Sequence, residues 1–310
     1  MRSWGRWLSL WILWGIASVA LSQPALAKTT EQPGLVHGLW VWGTLSVLGE
    51  PGSGERLRDF CRSEGVNEVY VSAVQLGSEA EDRRISDLIA MLHQTNIRVE
   101  ALFGNAEADQ PGKSRDRLLD HIWDVIDFNR RNPETRFDGI HLDIEPQQRP
   151  ETKGIKFMPH LVETYRKVRE LADPAHMTVN ADIPVRLLRA DRKERKKLFS
   201  AIPRLTLMLY EVSRPGDGQS PEQKATKLRH ASQEALDMAY HGLHGGKLAK
   251  LSIALNSPDY GDLLPTMLKN LDVANRSNSH YLGWARHSYN AYLRTARLNA
   301  EAGFNQKARQ

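Results

Sequence analysis

The chain has 310 residues, 41% hydrophobic and 25% charged, with a formal net charge of +5 and a single cysteine, Cys61. One cysteine excludes an internal disulfide, so the fold must be held by an apolar core, which a chain of this length can bury as one domain. The near balance of basic and acidic residues argues against a nucleic-acid partner; the one basic run, Arg192-Lys193-Glu194-Arg195-Lys196-Lys197, reads as a solvated helix face.

In chain order, the first segment is a leader. Arg2 and Arg6 give a basic start, Trp7 to Ala20 an uncharged apolar stretch, and Pro24-Ala25-Leu26-Ala27 the small-x-small pattern of a cleavage site. The expectation is a signal peptide over residues 1–27 and a mature chain over 28–310. Export, periplasmic or secreted, follows from it, with no stable membrane span left after cleavage; the alternative is an uncleaved membrane anchor, for which the apolar stretch is short. The leader carries two Arg and no acids, so the mature chain holds 40 basic against 37 acidic residues, +3, and keeps four tryptophans: Trp40, Trp42, Trp123 and Trp284.

Short β-type runs then recur at Val36 to Trp42, Glu68 to Ala73, Arg98 to Phe103, Gly139 to Ile144, Met177 to Ile183, Leu205 to Tyr210, Leu251 to Leu255 and Tyr281 to Ala285. Helical patterns lie between them. Leu119, Ile122, Trp123 and Ile126 share one face, with Trp123 read as core against the sheet. Met158, Leu161, Val162, Tyr165, Val168 and Leu171 share another. Pro221 to Leu243 and Leu263 to Ala274 are further helical stretches. Eight strands alternating with helices predict an α/β fold, a single (β/α)8 TIM barrel. No Gly-x-Gly-x-x-Gly follows the first strand, and no cofactor is called for.

The fourth strand carries the densest chemistry: Phe137-Asp138-Gly139-Ile140-His141-Leu142-Asp143-Ile144-Glu145-Pro146. Alternate residues of a strand share a face, so His141, Asp143 and Glu145 line up at about 6.6 Å per step, opposite Ile140, Leu142 and Ile144. Carboxylates crowded on one face raise each other's pKa, which suits one of them to act as an acid. In a barrel of this kind the site lies at the C-terminal ends of the strands. Asn105, Asn180, Asp182, Glu211, His287 and Tyr289 follow or end other strands and converge there.

These residues resemble the signature of the chitinase-type glycoside hydrolases, family 18. Phe137, Asp138, Gly139, Asp143 and Glu145 match it in place, while His141 stands where that family usually has an acid or amide. Met208-Leu209-Tyr210-Glu211 resembles the end of the family's sixth strand, and Gly283-Trp284 the strand that carries its barrel-floor tryptophan. The resemblance implies that Glu145 is the general acid/base, that Asp143 supports the acetamido group of an amino sugar, and that Tyr210 assists at the reacting sugar. The substrate's own carbonyl would then be the nucleophile. A neutral His141 would hold Asp143 by a hydrogen bond; an imidazolium would instead lower the pKa of both acids.

Candidate substrate contacts are His141, Asn180, Asp182, Glu211 and His287, with Trp42 and Trp284 as aromatic platforms for sugar rings. Trp40 shares a face with Trp42, and at most one of them reaches the mouth. The leading expectation is an exported glycosidase acting on an amino-sugar glycan. The alternatives are a carbohydrate-binding barrel without turnover and a metal-dependent hydrolase or phosphodiesterase using His141, Asp143, Glu145 and His287. Against a metal, no His-x-His follows strand one and no His-Glu-x-x-His lies on a helix.

Overall fold

The structure, a computed structural model, describes residues 34–150, 156–202, 204–210, 212, 216–240 and 250–307. The leader expected over residues 1–27, Glu211, and the end of the helix expected to reach Leu243 lie outside the described residues.

Eight strands form the centre: β1 (Val36–Val41), β2 (Glu68–Ser72), β3 (Arg98–Gly104), β4 (Gly139–Asp143), β5 (Thr178–Pro184), β6 (Arg204–Met208), β7 (Lys250–Asn256) and β8 (Tyr281–His287). All pair in parallel in chain order, and β8 closes on β1. The principal helices are α1 (Ser53–Ser63), α2 (Glu79–His93), α3 (Lys113–Arg131), α4 (Met158–Ala172), α5 (Arg192–Ala201), α6 (Pro221–Tyr240), α7 (Leu264–Asn275) and α8 (Tyr289–Lys307). The fold is a single (β/α)8 barrel. Among the described residues, no helix is long and apolar enough to cross a membrane.

Alternation along each strand divides the core in two. Outward residues such as Leu39, Val69, Val99, Ile140, Val179 and Ile253 pack under the helices in one continuous cluster. Inward, Trp40, Tyr70, Leu102, Ala254 and Ala285 fill the upper barrel, with Trp42 and Tyr210 against them. Below them the filling is charged: Arg204 pairs with Glu68 and stands 3.6 Å from Glu100, while Arg98 lies 3.4 Å from Glu68. The buried carboxylates Glu68 and Glu100 are thus satisfied by two arginines that reach in from the open bottom of the barrel.

Strand ends differ from the sequence reading by one or two residues, and the differences matter at the mouth. β1 stops at Val41 and β6 at Met208, leaving Trp42 and Tyr210 just past their strands. β7 runs on to Asn256 and β8 to His287, which brings both to the rim. Trp123 is a correction: it is 51% exposed rather than core. It sits at the edge of the apolar stripe of α3, whose Ile122 and Ile126 are buried.

Candidate active site

The C-terminal ends of the strands enclose a cavity of about 540 Å³, lined by residues from six of them: Trp42, Asp143, Glu145, Tyr210, Asn256 and His287, with Asn105 and Gln148 on its edge. A second cavity, about 610 Å³, opens on the opposite face beside Trp123, Arg136 and Asp138, where no cluster of carboxylates meets. The chemistry belongs to the first.

Asp143 ends β4, and Glu145 lies two residues beyond as the backbone turns into a short 3-10 segment, Pro146–Gln148. Asp143 is half-buried, and its Oδ1 is buried with no hydrogen-bond partner. Burial, then the charges of Asp182 and Glu145, push its pKa well above the ordinary carboxylate range; His141 opposes them. Glu145 is raised to about 6, by burial first and the negative charge of Asp182 second, against the pull of Gln147 and Arg186. Gln147 Nε2 donates to Glu145 Oε2 at 2.8 Å, and Gln148 Nε2 donates to its other oxygen.

The aromatic wall comes from the ends of β1, β6 and β8. Trp42 donates its indole N–H to His287 Nε2 at 3.2 Å. Burial lowers the pKa of His287, which leaves it the neutral acceptor this bond requires. Asn290 clasps the Trp42 backbone, donating to its carbonyl and accepting from its amide, both at 2.9 Å. A Cβ at Gly104 would stand 2.7 Å from the Trp42 ring, so the bare backbone there admits it. Tyr210 faces His287 with ring centroids 5.8 Å apart, and burial keeps its hydroxyl protonated.

Several expected contacts lie beneath the mouth rather than in it. His141, Asn180 and Asp182 are buried, His141 bonded to Asp182 and to Glu100, and Asn180 to Glu100. His141 Nε2 faces Asp182 Oδ1 at 2.8 Å and Nδ1 faces Glu100 Oε2 at 3.2 Å, and Asn180 donates to Glu100 Oε1 at 2.5 Å. The expected bond from His141 to Asp143 is replaced by these cross-strand bonds. Trp284 is also displaced: it is buried on the outside of the barrel, stacked on His37 at 4.1 Å, so it offers no sugar platform. Trp40 is buried inside, donating to Asp182 Oδ2 at 2.9 Å. Trp42 is the tryptophan that reaches the mouth. Tyr289, expected at the convergence, is buried against Phe60.

Asp138, the first acid of the signature, sits at the far end of β4. It accepts from the Val99 amide at 2.8 Å and lies 3.0 Å from His93 Nε2. Sequence reasoning missed Asn256, Gln148 and Glu100. Lys250, Ser252, Ala254 and Asn256 form a period-two inward row that would have placed Asn256 at the rim. Among the described residues, no group of three or more His, Cys, Asp or Glu is arranged to hold a metal ion. Both ring nitrogens of His141, one of the residues considered for that role, are engaged by carboxylates.

No protein-family model matches the chain, and no curated protein matches it in sequence. Solved structures do match. An endo-1,4-β-mannanase from Rhizomucor miehei aligns over 83% of this chain and 86% of its own, with TM-score 0.55 and 12% identity. The likeness is one of fold. A GH18 chitinase from Pseudoalteromonas aurantia aligns over 82% of this chain and 93% of its own, at TM-score 0.48 and 11% identity. A 3-keto-D-glucoside 4-epimerase from E. coli aligns over 82% and 92%, at 0.46 and 12%. Glycoside hydrolases recur among these barrels, and the chemistry of this one has to be argued from its own mouth.

Proposed function

We propose that this chain is an exported glycoside hydrolase acting on an amino-sugar glycan, with Glu145 as the general acid/base. The observation that carries the reading is Glu145 itself: a carboxyl raised to about 6 on the rim of an open cavity, next to a second acid whose buried oxygen has no partner. A proton donor needs a pKa near its working pH, and a donor on a rim can reach a glycosidic oxygen.

Glu145 gives its proton to the departing sugar oxygen as the C–O bond breaks. The acetamido carbonyl of the sugar that keeps the anomeric carbon closes on that carbon as the other sugar departs, in line with the resemblance to the chitinase-type enzymes. Water, deprotonated by Glu145, then opens the ring intermediate and returns the proton. Asp143 is the natural partner of the acetamido N–H, because its Oδ1 lacks any other. Tyr210 supplies a neutral hydroxyl, and Trp42 a ring face for the sugar's C–H edge. Gln147 and Gln148, which engage both Glu145 oxygens in the free protein, have to yield to the substrate. That same engagement favours the second reading, a carbohydrate-binding barrel without turnover.

The test is hydrolysis of paired aryl glycosides with and without the 2-acetamido group. Turnover is expected for the acetamido member alone, falling above about pH 6 as Glu145 loses its proton. Glu145→Gln should reduce it by about 10²–10⁴-fold while glycan binding persists. Hydrolysis of the plain glycoside would require a protein nucleophile; binding without hydrolysis would favour the second reading. Cell fractionation with N-terminal sequencing checks export, cleavage after Ala27 being expected.

A further inference from the structure

The interior beneath the mouth is a chain of charges that the proposed reaction does not itself use. His141 is fully buried, with Glu100 Oε2 on one ring nitrogen at 3.2 Å and Asp182 Oδ1 on the other at 2.8 Å. A neutral imidazole has one N–H to give, and two carboxylates facing two ring nitrogens call for both. The second oxygen of Asp182 accepts the indole N–H of Trp40, a group that can only donate. Glu100 in turn accepts from Asn180 and faces Arg204 at 3.6 Å and Arg98 at 3.8 Å.

The remaining neighbours agree with a cation at His141. Tyr70 stacks on its ring at 3.6 Å and 18°, while Trp40 meets it edge-on at 5.8 Å. A Cβ at Gly38 would fall 2.2 Å from the Tyr70 hydroxyl, so a glycine on β1 makes room for the stack. Asp143, the next inward residue of β4, has no share in this network and keeps an unpartnered buried oxygen. Above lies Glu145, which feels the charge of Asp182.

We propose that His141 is a positioning residue: a buried cation clamped between Glu100 and Asp182, which with Trp40 fixes Asp182 as a standing anion whose field adds to the burial of Glu145 in keeping it a proton donor. Asp182 has both oxygens satisfied by donors and is shut off from solvent, so it neither swings nor touches substrate. The clamp ties β1, β3, β4 and β5 together at the level of the acids, and the charge beneath the mouth is therefore set by the fold. Glu145 as a donor in glycoside hydrolysis rests on the reading above; the charge states of His141 and Asp182 do not.

Two NMR measurements on the protein test this without any substrate. In ¹⁵N-histidine-labelled protein, both ring nitrogens of His141 should report protonation from pH 6 to beyond pH 8, consistent with the raising of its pKa to about 10 by Asp182 and Glu100 against its burial. A His141 ring that is neutral at pH 7 overturns the clamp, and this experiment needs no variant to fold. In ¹³C-carboxyl-labelled protein, with Glu145→Gln for assignment, the Glu145 midpoint near 6 should fall toward the ordinary glutamate value in Asp182→Asn. A midpoint that stays at 6 in folded Asp182→Asn overturns the role of its field. If both NMR results hold and no glycoside is cleaved, the clamp stands and the hydrolase reading fails.

Discussion

Trp42 shows how one residue is held for work. Its backbone is clasped by Asn290, its indole is tied to His287, and Gly104 leaves room for its ring. A side chain restrained at both ends loses little entropy when a ligand settles on it. Gly104→Ala places a methyl 2.7 Å from that ring, so the ring has to move. The expected result is a stability loss of about 1–3 kcal/mol, the range for overpacking, with several-fold weaker glycan binding. Thermal unfolding and a titration with a chitooligosaccharide measure the two effects. A displaced ring with unchanged affinity would remove Trp42 from the platform.

At the scale of elements, the helices explain what could be read from sequence and what could not. The start of α2 is fixed by a side chain: the N-cap Ser78 accepts the Glu81 amide at 3.3 Å and its hydroxyl donates to the Glu81 carboxylate at 2.7 Å. Ser78→Ala should cost about 1 kcal/mol in denaturant unfolding, with activity unchanged. The alternation of eight strands with helices was legible, because fully buried parallel strands and amphipathic helices differ in period. Trp123 was misplaced because it lies at the edge of its stripe, where periodicity does not decide between core and surface.

His141 was misassigned for a different reason. Along a strand, residues on one face are about 6.6 Å apart, whereas neighbouring strands lie about 4.8 Å apart. Partners inside a barrel are therefore found across strands, at Glu100 and Asp182, before Asp143. A single sequence gives the face of each residue but not the register that sets these pairs. Trp284 fails likewise: its neighbour Gly283 is inward, and the pleat sends Trp284 out to His37.

For the whole molecule, the same buried histidine sets how stability depends on pH. The folded pKa of His141, about 10, lies above its unfolded value of 6.5. The stability it contributes is therefore fully present below about pH 6.5 and is lost as pH rises toward 10. Cys61 offers a direct readout. It is the one thiol in the chain, it is fully buried in α1, and burial pushes its pKa to about 12, so the folded protein presents no thiolate to a labelling reagent. Labelling at Cys61 then reports opening of the barrel. The free energy of opening, obtained from labelling rates corrected for the reagent's own pH dependence, should fall steadily from pH 7 to pH 10. In His141→Gln it should begin lower and vary less over the same interval. A wild-type profile as flat as the variant's would mean that His141 is neutral in the folded barrel, and that the charge balance of the interior is set by Arg98 and Arg204 alone.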